Sequence, residues 1–337
     1  MRTWISIALS LLLIASCNKT SLPAFDLSGR TMGTTFNITL VSPPDDTDLD
    51  ALGAIIQDRL EYIENIASTY RGNSELSQFN SNPSMDWIAV TPEFCRMISS
   101  ALDVSVMTRG AFDITVGPLV NLWGFGPSPE ESGLPTEEQI TQARSGVNYE
   151  ALEADCDKFV VRKSLKATYV DLSGWAKGYA VDEIAAILDA RDVDNYLIEI
   201  GGELRVQGRN PKQEPFSIAI EKPIKNNAMK YHALLLTDAA VATSGDYRNF
   251  YEHDGQRYSH TIDPRTGRPV SHQLTGVTVV STSTAFADAI ATALLVLGAD
   301  EGWVLAEELD IAAYFLIRTE DGLKEISTTK FARLNRL

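Results

Sequence analysis

Tyr169-Val170-Asp171-Leu172-Ser173-Gly174-Trp175-Ala176-Lys177-Gly178-Tyr179-Ala180-Val181-Asp182 is the stretch on which the fold turns. It reads as a short strand over 169–174, a glycine-containing turn, and a helix over 177–188. A strand, a glycine turn and a helix also open many parallel α/β folds, so the residues that follow decide the class. Segments 196–200, 216–220, 231–237 and 276–281 carry the β-branched and aromatic patterns of strands, with no helical period between them. Helices return at about 284–297 and 301–309, ahead of a last strand over 312–318. Without regular strand–helix alternation, the pattern predicts an α+β unit of mixed and antiparallel sheets with packed helices.

The N-terminal half fits that class. Residues 30–41 alternate around Phe36, Ile38 and Leu40 as a strand does. Leu52, Ile55, Ile56, Leu60 and Ile63 recur at helical spacing over 49–66. Thr91-Pro92-Glu93 starts another helix, with a capping hydroxyl followed by proline at the first helical position, and it runs to about 108. Residues 127–148 are rich in Pro, Gly, Ser and Glu around one short helix, capped by Thr136 with Gln139 three residues on, and read as a surface excursion. No internal repeat is present.

Hydrophobic residues make up 44% of the 337 and charged residues 22%, enough to bury a full core and too apolar for a disordered chain. The net charge of −16 repels phosphate backbones and disfavours a nucleic-acid partner. A phosphate-bearing ligand therefore needs a divalent cation or locally placed Lys and Arg.

The first residues have the form of an export signal. Arg2 precedes an apolar run over 4–15, too short for a comfortable membrane span, and small residues lead to Ser16-Cys17. Leu13-Ile14-Ala15-Ser16-Cys17 resembles a bacterial lipobox, which makes 1–17 a lipoprotein signal peptide and Cys17 the lipidated first mature residue. Residues 18–28 read as a tether and 29–337 as the folded unit. The expectation is an exported chain, lipid-anchored on the periplasmic side of a membrane, with the inner membrane as its place. Cys95 and Cys156 remain; they are either a disulfide or two buried thiols, and neither belongs to a CxxC or a Cys/His cluster.

No phosphate loop of the G-x-x-x-x-G-K-[ST] form, no G-x-G-x-x-G fingerprint and no HExxH zinc motif occurs. Other segments combine polar and glycine residues beyond the needs of a core. They are Thr31-Met32-Gly33-Thr34-Thr35-Phe36, Ser68-Thr69-Tyr70, Gly110-Ala111-Phe112-Asp113-Ile114-Thr115-Val116-Gly117-Pro118, the stretch over 171–182, Thr243-Ser244-Gly245-Asp246, His260-Thr261-Ile262-Asp263-Pro264-Arg265-Thr266-Gly267 and Ala287-Asp288-Ala289-Ile290-Ala291-Thr292-Ala293. Asp288 and Thr292, four apart on a helix, project oxygens from one face. Such hard donors suit Mg²⁺, which keeps positions for water and phosphate. Asp288 alone would pass for a surface charge, but its apolar neighbours argue for burial, and a buried carboxylate wants a cation. Lys177 at a helix start can meet phosphate together with backbone amides. His260 titrates near working pH and is the leading candidate for a general base, with Asp263 and Asp246 as competitors.

In that order, D-L-x-G-x-A-K-G-Y-A, H-x-I-D-P-x-T-G and A-D-A-x-A-T-A resemble the ApbE family of FAD:protein FMN transferases, from about Gly29 to the last strand. The resemblance implies a T-fold-like catalytic unit. It implies Mg²⁺-dependent transfer of the FMN half of FAD to a Thr hydroxyl of a membrane redox-complex subunit, with release of AMP. It assigns Met32, Tyr70, Ala111, Phe112, Asp113, Asp171, Lys177 and Ile262 to FAD, the last through its backbone. It assigns Asp288, Thr292 and the carbonyls of Gly174 and Ala291 to the metal. An FAD pyrophosphatase and a non-catalytic FAD-binding lipoprotein are the rival readings; family members biased to hydrolysis tend to carry Asn where this chain has Tyr70. Ser173 and Trp175 stand where Gly and Ile are common, Phe36 replaces a frequent Tyr, and Gly201-Gly202-Glu203 replaces Gly-Gly-Asp, leaving the role of that Gly pair open.

Overall fold

Residues 21–127, 133–222, 230–246 and 250–334 are described by a computed structural model of the chain. The signal peptide, Cys17 and the start of the tether lie outside these described residues. The chain opens with the hairpin β1 (Ala24–Thr31) and β2 (Thr34–Val41), then α1 (Leu49–Ala67), α2 (Glu75–Ser81), β3 (Ile88–Ala89), α3 (Pro92–Met107) and α4 (Gly117–Leu122). Next come α5 (Glu137–Arg144), β4 (Leu152–Asp155), β5 (Val160–Lys163), α6 (Ala176–Asp189), β6 (Tyr196–Ile200) and β7 (Glu203–Gln207). The hairpin β8 (Phe216–Lys222) and β9 (Lys230–Leu236) precedes β10 (Ala239–Gly245), β11 (Phe250–His253), β12 (Gln256–Ser259), β13 (Ile262–Asp263) and β14 (Arg268–Pro269). Last are β15 (Leu274–Ser281), α7 (Thr284–Glu308), β16 (Ala312–Thr319), β17 (Gly322–Ser327) and α8 (Thr329–Ala332).

Eight strands form one sheet in the order β1-β2-β6-β7-β10-β15-β16-β17, antiparallel at every pairing. This is the α+β class expected from the unalternated strands. Helices cover one face. Leu52, Ile56, Leu60 and Ile63 of α1 and Val181, Ile184 and Leu188 of α6 pack on Phe36, Ile38 and Leu40 of β2. Further along, α7 packs on Val277 and Val279 of β15, and α3 packs on α7. The β8–β9 hairpin and Phe331 of α8 cover the other face, against Val241, Val280 and Tyr314. With both faces covered, β15 is buried over nearly its whole length and shows no polar alternation. The first half of α7, before Gly298, is apolar on nearly every side because α3, α6 and the sheet pack around it. The helix breaks at Gly298 (φ 80), the gap that separates the two helices expected from the sequence.

The structure changes four expectations. Residues 30–41 are not one strand: Met32 (φ 49) and Gly33 (φ 72) form the two-residue turn of the β1–β2 hairpin. Residues 24–28 of the expected tether are part of the fold, because Ala24–Thr31 is an edge strand of the sheet. Residues 169–174 make only an isolated parallel bridge, Val116 with Tyr169, instead of a strand. Their backbone groups are satisfied elsewhere: the Asn80 side chain takes both the N–H (2.7 Å) and the carbonyl (2.8 Å) of Val170, and Asp171 N donates to Ile114 O. The excursion over 127–148 does hold the Thr136 capping box, but α5 also buries Ile140 against Leu119, Leu122, Trp123 and Ile262.

Cys95 and Cys156 are joined in a disulfide, Cα–Cα 5.6 Å, that ties α3 to the loop between β4 and β5 across 61 residues. Of the two states left open by the sequence, the pair is bonded.

Candidate active site

The start of α6, the first half of α7, the end of β10 and the loop after α3 converge on a cleft of about 360 Å³. Tyr70, Ala111, Phe112, Asp113, Asp171, Gly174, Lys177, His260, Ile262, Asp288 and Thr292 all line it. Met32 lines a neighbouring cleft of about 690 Å³ with Glu64 and Arg71, and Thr69, Tyr70, Ser173 and Lys177 form the wall common to both. Ala291 is fully buried on α7 and lines neither, so the structure does not bring it to either cleft.

One end of the cleft is charged. Lys177 Nζ is 2.9 Å from Glu203 Oε1 and 3.7 Å from Asp288 Oδ2. Asp288, 4% exposed, also accepts a long bond from Gly178 N at 3.4 Å. Burial raises the Asp288 carboxyl above its ordinary range, against the pull of Lys177 and the Gly178 amide. Burial likewise pushes Glu203 up to about 7, with Lys177 opposing and Asp288 adding to the rise. The two carboxylates in turn raise Lys177 against the burial that lowers it, so the ammonium keeps its proton. Among the described residues Lys177 is the only Lys or Arg lining this cleft.

This geometry depends on α6 and α7 touching. A Cβ on Gly178 would lie 2.5 Å from Thr284 O, so no other residue permits the approach. Asp182, one turn further along α6, caps α7: its carboxylate accepts from Ser283 Oγ, Thr284 N and Ala285 N, and it pairs with Arg205 at 3.0 Å.

The other end is aromatic and open. Tyr70, 68% exposed, donates its hydroxyl to Phe125 O at 3.0 Å. Phe125 stacks on Tyr251 (5.4 Å), Tyr251 on Tyr258 (5.3 Å) and Tyr258 on Trp123 (5.7 Å), while the half-buried His260 meets Phe125 edge-on at 6.3 Å. Burial and Asp171 raise the Tyr70 phenol, which keeps it a neutral donor.

Of the three candidate bases, only His260 lines the cleft. Asp263 is taken up by Arg265, which reaches it through the backbone N–H (2.8 Å), Nε (3.0 Å) and Nη2 (2.9 Å). Asp246, raised by burial, lies between Arg257 at 3.9 Å and Arg318 at 3.8 Å. Asp113 and Asp171 serve the loops that carry them. Asp113, raised by burial, accepts from Thr115 N, Thr115 Oγ1 and Tyr149 N, and Asp171 Oδ1 accepts from Ser173 N and Oγ.

Sequence reasoning did not assign Glu203, Ser244 or the aromatic stack. The Gly pair before Glu203 marked a backbone turn but said nothing about where the carboxylate points. Ser244 Oγ lies 3.1 Å from Thr292 Oγ1, and β10, built from small residues, carries no strand pattern of its own.

The donor set fits a hard cation. Asp288 and Thr292 face the cleft one helical turn apart, and a Cβ on Gly174 would sit 3.3 Å from Thr292 Oγ1, so that backbone abuts the hydroxyl. Glu203 Oε2 is buried without a hydrogen-bond partner. Among the described residues no three His, Cys, Asp or Glu side chains converge on one point, so an ion here depends on hydroxyl, carbonyl and ligand oxygens as well.

Residues 32–315 match the ApbE family. The chain is 41% identical over 333 residues to the FAD:protein FMN transferase of Vibrio cholerae serotype O1, covering 98% of each. It is 38% identical over 338 residues to the FAD:protein FMN transferase of Haemophilus influenzae, covering 98% of this chain and 96% of that one. Among solved structures it is similar to the flavin transferase ApbE from Vibrio cholerae (TM-score 0.87, 40% identity, 93% of this chain and 99% of that one). The apo form of the flavinyl transferase ApbE of Pseudomonas stutzeri superposes with a TM-score of 0.86 at 37% identity, over 93% and 97%. A cleft with one cation between two buried carboxylates at one end and an open aromatic lip at the other suits an enzyme that handles a flat, phosphate-bearing ligand. The chain belongs to the ApbE family.

Proposed function

We propose that this chain is an FAD:protein FMN transferase that moves FMN from FAD to a Thr hydroxyl of a membrane redox-complex subunit. One observation carries the reading: a single cleft joins the Lys177–Glu203–Asp288 cluster to the Tyr70–Phe125–His260 lip, in a chain whose relatives bear that name. The isoalloxazine ring packs among Tyr70, Ala111 and Phe112, and Met32 belongs to the part of the ligand that extends into the second cleft. The acceptor oxygen attacks the FMN-side phosphorus, an O–P bond forms, and the bond to the bridging oxygen breaks with its electrons leaving on AMP. His260 takes the proton of the acceptor hydroxyl. Lys177 meets phosphate charge, and its two carboxylate neighbours hold it protonated. Asp288, Thr292 and the carbonyls of Gly174 and Ala291 would hold Mg²⁺, which would supply positive charge at the pyrophosphate.

Export and anchoring through Cys17, on the periplasmic side of the inner membrane, belong to the same proposal. They are supported by the lipobox-like Leu13–Cys17 sequence and by a disulfide suited to an oxidising compartment. Intact-mass analysis of the membrane-extracted chain is expected to find acyl groups on Cys17, and Cys17→Ser to move the protein to the soluble export fraction. Incubating the chain with FAD, Mg²⁺ and a candidate acceptor domain should add the mass of FMN to the acceptor and release an equal amount of AMP. Release of AMP without modified acceptor would replace transfer by FAD hydrolysis, and FAD binding without AMP would replace it by storage.

A further inference from the structure

Glu64 stands in the last turn of α1, where the helix carbonyls are negative and a carboxylate is disfavoured. Neither the helix dipole nor the core accounts for it. Its partners do. Glu64 Oε1 accepts from Thr31 Oγ1 at 2.9 Å and from Met32 N at 2.5 Å, and Oε2 accepts from Arg71 Nη2 at 2.5 Å. The first two bonds hold the β1–β2 turn at Met32, whose φ of 49 is an uncommon conformation for a residue with a side chain. The third holds the residue next to Tyr70. Met32, Glu64, Tyr70 and Arg71 all line the second cleft.

We infer that Glu64 is a positioning residue for FAD: one carboxylate fixes the Met32 turn and, through Arg71, the Tyr70 segment, so that both meet the ligand preformed. The inference rests on the proposed FAD reading of the two clefts. Preorganisation of this kind acts on binding and leaves the reacting phosphorus, His260 and Asp288 untouched.

The test measures FAD affinity by flavin fluorescence, transfer rate by acceptor mass and melting temperature, on the full chain with Mg²⁺. Glu64→Gln keeps an oxygen that can still accept from Thr31 and Met32 but puts an amide NH2 against Arg71 and loses the ion pair; FAD affinity should fall about tenfold, with kcat at saturating FAD changed by less than about threefold. Arg71→Gln and Thr31→Val, each removing one arm, should give smaller losses of the same kind and serve if Glu64→Gln does not fold. In a Tyr70→Ala background the Glu64→Gln loss should shrink to about half its logarithm or less, because the Arg71 arm then has nothing to position. A purely structural Glu64 would lower melting temperature and affect both backgrounds equally, which overturns the inference. Unchanged FAD affinity in folded Glu64→Gln, or in both single-arm variants, also overturns it. If Met32→Ala and Tyr70→Ala leave FAD affinity intact, the FAD reading of the cleft falls, a result distinct from failure of Glu64 alone.

Discussion

The two ends of the cleft are made of different material. At the Lys177 end, charged side chains project from α6, α7 and β7, elements packed into the main core, and both carboxylates are nearly sealed from solvent. At the Tyr70 end, aromatic rings stand on connecting loops and on β11–β12, a hairpin that among the described residues pairs with no other strand. The first end is suited to holding charge at fixed distances, where low dielectric makes each interaction strong. The second can admit a second macromolecule. A group-transfer enzyme with a protein acceptor needs both, and the contrast orders the effects expected from mutation.

Asp288→Ala should have the largest effect. It removes the carboxylate of the proposed metal set, and FMN transfer is expected to fall by about 10³-fold or more. The fold should survive, because the change relieves a buried carboxylate whose pKa burial has raised. Melting curves with and without Mg²⁺ check this: the variant should equal or exceed the wild type in chelator and gain less on adding Mg²⁺. Full transfer activity across a Mg²⁺ titration would remove Asp288 from the metal set.

His260→Ala tests the open end. Loss of a general base should lower transfer by about 10²-fold or more while FAD still binds among Tyr70, Phe112 and Lys177. Raising the pH should restore part of the rate as hydroxide replaces the imidazole. Parallel loss of FAD affinity and melting temperature would make His260 a structural member of the Phe125 edge contact instead.

How much of this contrast the sequence carried depends on the kind of element. Asp288 and Thr292 were legible because helical spacing fixes which face they share, and Lys177 because it follows a glycine turn into a helix. The break at Gly298 was legible as a gap between two apolar runs. Strand β10 was not: Ala239, Ala240, Ala242 and Gly245 carry no β-branched alternation, and its place between β7 and β15 comes from long-range pairing. The aromatic stack was not legible either, since Trp123 and Tyr258 are far apart in the chain and meet only through the folded loops. Residues 169–174 misled because their apolar character matches a strand, while Asn80 takes the hydrogen bonds a neighbouring strand would have used.

Glu203→Gln sharpens the charged end with a smaller effect. Burial holds this carboxyl at about 7 against an ordinary 4.5, so between those values the folded chain binds more protons than the unfolded one. The contribution is fully present below about 4.5 and is lost as pH rises through about 7. The melting temperature of metal-free wild type should therefore fall relative to Glu203→Gln across that window, by roughly 2–4 °C for each kcal/mol involved. Equal pH slopes for the two proteins would mean that Glu203 is ionised throughout in the fold.

The smallest effect is expected at Tyr70, because its side chain is largely in solvent and its hydroxyl makes one exposed bond to Phe125 O. Tyr70→Phe keeps the ring and loses that bond, so transfer should change by no more than about threefold. Tyr70→Asn removes the ring from the lip and leaves a short polar side chain in its place. On the proposed reading, water should then reach the FMN-side phosphorus more easily, with Lys177, Asp288 and Thr292 left in place at the pyrophosphate end. At saturating FAD, total AMP release should stay within about threefold of wild type, but a larger share of it should be unaccompanied by modified acceptor. The ratio of AMP released to FMN transferred, measured in one reaction, isolates this effect from any change in overall rate. A ratio near one in Tyr70→Asn would show that the aromatic lip does not keep water out, and would assign that task to Phe125 and the β11–β12 hairpin behind it.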